Sequence, residues 1–149
     1  VIAVVKMLAD LERIGDEAKR IARIAERLID QDGGEEFTAS LAEVGEGARA
    51  MLHGALDAFA RLDEHLALDV LRRDRRLDAL YRDLSAQLVA GMQRMPEQIP
   101  VALDRLWCAR SFERIGDRCK NLCEFVLYLV RGKDVRHSGL SRGGEAGAG

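Results

Sequence analysis

Apolar residues recur along the first thirty positions at Val4, Met7, Leu11, Ile14, Ala18, Ile21, Ala25 and Leu28, at alternating intervals of three and four. This spacing predicts one apolar seam on a helix over residues 1–31, about 45 Å long at 1.5 Å per residue. The run Asp30 to Glu36 breaks the pattern, with Gly33 as the expected stop. A second helix is expected from Thr38 to about Arg61, capped by Thr38 or Ser40. Gly45, Gly47 and Gly54 weaken it, since each costs about 1 kcal/mol against alanine. A third runs from Glu64 to Met95 on Leu77, Leu80, Leu84 and Leu88, and ends before Pro96. A fourth begins near Pro100, a favourable first-turn residue, and ends near Arg131 with Gly132 as the stop. No segment keeps period two long enough to form a strand.

The string Glu12-Arg13-Ile14-Gly15-Asp16 recurs as Glu113-Arg114-Ile115-Gly116-Asp117, at an offset of 101 residues. Leu11, Ile14, Ala18 and Ile21 map onto Phe112, Ile115, Cys119 and Leu122, and Lys19 maps onto Lys120. A repeat of this length implies two equivalent three-helix units. The expected fold is all-α. Residues 1–32 form the last helix of an incomplete first unit, residues 36–133 a complete second unit, and residues 134–149 a disordered, glycine-rich, non-functional tail. Two helices are expected to be missing upstream of Val1, a first residue that is not Met.

Composition narrows the function classes. The 149 residues carry a formal net charge of −2, with 48% hydrophobic and 32% charged residues. The length suits one domain, and the apolar share opposes disorder. The charge balance gives no footprint for nonspecific binding to nucleic acid or an anionic membrane. The opening Val1-Ile2-Ala3-Val4-Val5 is too short to span a membrane, and no basic region or cleavage site follows to make a signal peptide. The cysteines, Cys108, Cys119 and Cys123, are odd in number, which points to a reducing compartment.

The candidate chemistry lies in carboxylate pairs. Glu12 with Asp16, Glu113 with Asp117, and Asp74 with Asp78 are each four residues apart, on one face of a helix. Like charges at this spacing repel by about 0.2–0.5 kcal/mol. Two readings follow. Packing of the third and fourth helices would converge Asp74, Asp78, Glu113 and Asp117 on a hard cation, which favours oxygen ligands. Alternatively, the pairs form a solvated acidic face, neutralised by Arg13, Arg114 and Lys120. With Leu11 and Ile14 as seam positions, Glu12 and Asp16 fall on the outer face, so a site would be superficial. Gly15 and Gly116, costly in mid-helix, suggest close helix packing rather than a ligand role. Cys119 and Cys123, four apart, suit buried structural positions better than a soft-metal site. His53, His65 and His137 form no spaced cluster. No Glu-x-x-His pattern, phosphate-binding loop or nucleophile elbow is present, and an enzyme using the carboxylates with a metal would lack a water-activating base.

Several strings resemble the PhoU phosphate-signalling family: LERIGD (11–16), CARSFERIGDRCKNLCEF (108–125) and VRGKDVRH (130–137). MLHGALDAFARLD (51–63) and RRDRRLDALYRDL (72–84) are similar to the family's intermediate helices. The likeness runs from Val1 to His137 and is nearest the enterobacterial type. It implies tandem PhoU-like three-helix bundles and surface metal sites on Glu/Asp-x-x-x-Asp motifs, here Glu12 with Asp16 and Glu113 with Asp117. Asp74 with Asp78 would match the acidic pair of the neighbouring helix. The implied cofactor is a divalent or trivalent metal ion, with Mg, Mn, Fe and Zn as candidates. The implied role is negative regulation of phosphate uptake and of the phosphate-starvation response. The implied partners are a phosphate ABC transporter ATPase, a membrane sensor histidine kinase and a second copy as homodimer. The implied place is cytoplasmic, peripheral to the inner membrane. A structural helical interaction module without metal is the competing reading. The chain departs from the pattern in lacking the first two helices, so Glu12 and Asp16 are without partner acids. The first seam is then expected to dock on the second bundle, to pair with another chain, or to mark a shortened reading frame.

Overall fold

A computed structural model of the chain describes residues 1–31 and 34–142, with side chains to residue 132. It is all-α: α1 (Ile2–Leu28), α2 (Glu35–Arg61), α3 (Glu64–Arg94), a 3-10 turn (Pro96–Gln98) and α4 (Ile99–Arg142). No described helix is long and apolar enough to cross a membrane.

The helix ends follow local chemistry. Gly34 caps α2 with φ +53°, and Glu35 and Glu36 complement the dipole of its first turn. Thr38 and Ser40, expected as caps, lie inside the helix, where the Thr38 hydroxyl donates back to Gly34 O at 3.5 Å. The expected stop Gly33 lies outside the described residues. Between α2 and α3, Leu62 takes the left-handed conformation while Asp63 N–H donates to Ala58 O at 3.0 Å, closing the carbonyl end of α2. The Asp63 carboxylate then accepts from Leu66 N–H at 3.1 Å and caps α3. Pro96 ends α3 as expected. Gly132 does not end α4, which runs on to Arg142. Gly132 lacks the positive φ of a helix-ending glycine, and without it the only penalty is about 1 kcal/mol of propensity. The expected disordered tail is therefore helical in its backbone from 134 to 142, and residues 143–149 lie outside the described residues.

Helices α2, α3 and α4 pack on one another as an up-down-up bundle. Their core includes Val44, Met51, Val70, Leu77, Leu84, Leu88, Cys119 and Val126, all at most 2% exposed. Glycines let the backbones approach. A Cβ at Gly45 would lie 2.9 Å from the Phe112 ring, and one at Gly54 would lie 2.7 Å from Val70 Cγ2. The residues that weaken α2 by propensity thus serve its packing.

Among the described residues α1 packs on α4 and on no other helix, running antiparallel to it. Arg27 pairs with Asp104 at 2.6 Å, Glu17 with Arg114 at 3.4 Å, and Asp10 with Arg118 at 3.1 Å. Met7, Ile14 and Ile24 are buried in this contact. The covered stripe differs from the expected seam. Val4, Ala18 and Ala25 are exposed, while Asp10, Glu17 and Ile24 face inward. The α4 side offers Arg114 and Arg118 as partners for acids, so α1 turns a mixed face to it. Met7 and Ile14 of the expected seam are buried and Leu11, Ile21 and Leu28 half-buried, so the seam docks in part on the second bundle, one of the expected outcomes.

Candidate metal centre

The α3 helix places Asp74 and Asp78 one turn apart, with Leu77 directly before the second. The α4 helix runs antiparallel to it and places Glu113 and Asp117 one turn apart, with Gly116 directly before Asp117. The two helices meet at these positions. A Cβ on Gly116 would lie 2.5 Å from Leu77 Cδ2, so the missing side chain sets the spacing between the acidic turns.

One carboxylate oxygen from each of Asp74, Asp78 and Asp117 lies within 4.8 Å of the other two. Asp74 is 8% exposed, and among the described residues its Oδ1 has no hydrogen-bond partner. Burial pushes its carboxyl pKa above the ordinary value. The charges of Asp78, Asp117 and Glu124 add to this, and Lys120 opposes it. Glu113 stands beside the trio. Its carboxyl is pushed up to about 6, first by burial and then by Asp117, against the opposing charge of Arg110. Arg110 approaches Glu113 Oε2 at 3.4 Å.

A cluster of acids with one oxygen buried and unpaired is electrostatically unfavourable by itself. A hard cation would remove the repulsion and supply the missing partner. The donor set is entirely carboxylate. That fits Mg, Mn or Fe better than Zn, which prefers nitrogen and sulfur.

The four acids of α3 and α4 are thus brought together, Asp74 inside the helix interface rather than on the surface. Glu12 and Asp16 are not. Both are exposed on α1, and among the described residues they join no third acid, cysteine or histidine in such a group. The basic residues expected to neutralise an acidic face divide differently. Arg114 turns to Glu17 across the α1 contact, and Lys120 acts on Asp74. Sequence reasoning missed Arg110 as the base beside Glu113; its spacing of three residues from Glu113 is the signal that identifies it. Cys108, Cys119 and Cys123 are buried and unbonded, with thiol pKa values pushed up to about 11, 12 and 11 by burial. They behave as small apolar core residues. A recess of about 320 Å³ lined by Phe37, Leu88, Gly91, Ala102 and Arg105 shares no residue with the acids.

A model of the PhoU domain matches residues 41–126, which takes in most of α2, all of α3 and most of the buried part of α4. The chain belongs to the PhoU family. It is 45% identical over 140 residues to the phosphate-specific transport system accessory protein PhoU of Serratia marcescens, covering 93% of this chain and 57% of that protein. To the PhoU homolog of Pseudomonas putida it is 44% identical over 142 residues, covering 95% and 56%. It is also similar to the crystal structure of PhoU from Pseudomonas aeruginosa, with a TM-score of 0.82, 41% identity, and coverage of 88% of this chain and 63% of that one. The chain therefore spans little more than half the length of the curated PhoU proteins it matches.

Proposed function

We propose that this chain is a non-catalytic accessory of phosphate transport that carries a metal ion between α3 and α4. The accessory role is supported by the names of its relatives, phosphate-specific transport system accessory proteins. The metal reading rests on one observation: the Asp74, Asp78 and Asp117 oxygens converge within 4.8 Å, and Asp74 Oδ1 is buried with no hydrogen-bond partner among the described residues. Asp74, Asp78 and Asp117 would be the ligands, with Glu113 completing or orienting the set. Mg, Mn and Fe suit this donor set.

The ion would lock α3 to α4 at the level of Gly116 and remove most of the negative charge of the acidic cluster there. Such an ion suits a signalling adaptor, because it changes the charge of a surface without chemistry. In this reading the chain acts as a negative regulator of phosphate uptake and of the phosphate-starvation response. Its partners are the phosphate ABC transporter ATPase, a membrane sensor histidine kinase and a second copy of itself, on the cytoplasmic face of the membrane.

The direct test is elemental analysis of the purified protein after dialysis against each metal. The expected result is a stoichiometric ion that is lost in Asp74→Asn with Asp117→Asn. A protein that retains no ion, and whose melting temperature is unmoved by added Mg, Mn or Fe, would leave a structural interaction module in its place.

A further inference from the structure

The convergent trio leaves one acid of α3 and α4 aside. Glu113 stands one turn before Asp117 and is hydrogen-bonded to it. Yet among the described residues it does not join Asp74, Asp78 and Asp117 in the group whose oxygens all lie within 4.8 Å of one another. Its other neighbour accounts for the offset. Arg110 Nη1 lies 3.4 Å from Glu113 Oε2, with side chains 45 and 15% exposed, so the carboxylate is the sheltered partner. Arg110 has a second hold, a hydrogen bond to Tyr81 of α3. Tyr81 lies one turn after Asp78, and Arg110 one turn before Glu113. The guanidinium is thus fastened to both helices at the edge of the acidic cluster.

This arrangement sets two cations in competition for one carboxylate. A hard ion takes six or more oxygen ligands, so three carboxylates leave its shell open to a further one. Glu113, already touching Asp117, is the carboxylate at hand, and it must leave Arg110 to reach the ion. Asp74, Asp78 and Asp117 make no ion pair with a base among the described residues, so Glu113 alone of the four is held in this way. A partly exposed pair holds its carboxylate by a factor of about ten at most. That is weak enough for an ion to displace and strong enough to cost it affinity. The internal repeat shows that the helix itself does not require this arginine. The position 101 residues before Arg110 is Ala9, so Glu12 of the first string has no base there. Arg110 belongs to the acidic cluster, not to the repeated helix.

We infer that Arg110 is a positioning residue of the metal site: fastened to Tyr81, it holds Glu113 off the Asp74, Asp78 and Asp117 trio, and the ion gains this further carboxylate only by drawing it from Arg110. The inference rests on the metal reading above and adds how the affinity of that site is set. Arg110 touches no ion. It acts through Glu113, and it keeps the ion more readily exchanged than the four carboxylates alone would.

The test is calorimetric titration of Mn(II) into the chelator-stripped, full 149-residue chain, above the Glu113 pKa of about 6. Arg110 is exposed on a helix, and Gln and Lys keep helix propensity, so its variants fold as the parent does. Arg110→Gln should tighten Mn(II) binding about threefold to tenfold, the range such an ion pair represents. Tyr81→Phe should tighten it by less, since it loosens Arg110 and keeps the charge. Arg110→Lys, which keeps charge and reach, should stay within about twofold of the parent. In a Glu113→Gln background the Arg110→Gln gain should fall below about twofold, because the group through which it acts is gone. An equal gain in both backgrounds makes Arg110 a distant charge and overturns the hold on Glu113. A parent that binds Mn(II) while Arg110→Gln binds it no tighter overturns this inference alone. A parent that takes up no Mn(II) overturns the metal reading and this inference with it.

Discussion

Gly116 of α4 leaves the space that Leu77 of α3 occupies, a Cβ at 116 lying only 2.5 Å from Leu77 Cδ2. Leu77 precedes Asp78, and Gly116 precedes Asp117, so this one close approach sets the distance between the acidic turns. Gly15, its counterpart in the repeat, faces open space. The two glycines should therefore respond oppositely to the same substitution. Gly116→Ala is expected to destabilise by about 1–3 kcal/mol through overpacking. It should also weaken metal binding by moving α4 off α3. Gly15→Ala should leave metal binding unchanged and stabilise by up to about 1 kcal/mol through helix propensity. Chemical denaturation and metal titration of both variants check this, and equal effects would remove the packing account of Gly116.

Asp74→Asn separates a metal site from a repelling acidic cluster by its sign. With chelator present, the substitution removes a buried, unpaired carboxylate and its repulsion with Asp78 and Asp117, so the melting temperature should rise. With saturating Mg or Mn the parent gains the linkage stabilisation of the bound ion, and Asn should then be the less stable. Thermal melts in the two buffers give the answer directly. A variant that is more stable in both would argue against the ion.

Glu113 makes the metal-free protein pH-dependent. Its folded pKa is raised to about 6 from the ordinary 4.5, first by burial and then by Asp117. A raised carboxyl pKa means the folded state holds the proton more tightly, so this stabilisation is full below pH 4.5 and lost as pH rises through 6. The expected loss across that window, reduced by solvent screening of a partly exposed group, is about 1 kcal/mol. Asp74 is shifted in the same direction and adds to it. Glu113→Gln should flatten part of the profile in urea melts with chelator at several pH values. A stability that climbs between pH 4.5 and 6 in the parent would contradict the sign.

The cysteines should be silent in the native state. Burial and thiol pKa values near 11 to 12 leave almost no accessible thiolate at neutral pH. Labelling with a thiol reagent should yield three equivalents only after unfolding. Rapid native labelling of Cys119 or Cys123 would call for a more open bundle.

The all-α class, the breaks before α2 and at Pro96, and the carboxylate pairs are local properties. They follow from period, turn residues and spacing, which any stretch of chain carries with it. The repeat at Glu12 and Glu113 was legible for the same reason, and the family strings with it. What one helix does to another was not. Gly132 reads as a stop in one dimension, yet α4 continues, because a helix ends only where the backbone turns out of helical φ. The seam of α1 read as a single stripe, yet α4 covers only part of it, through Met7, Ile14 and Ile21, and takes Glu17 and Asp10 from the row beside it. Identical pentapeptides acquired different surroundings: Glu113 and Asp117 meet Asp74 and Asp78, while Glu12 and Asp16 stay in solvent. The amino-acid order by itself determined the helices and the chemical groups they display. Only the tertiary structure decided which acid is buried and which glycine is filled against. Burial and contact are properties of two surfaces at once, and the second surface lies tens of residues away.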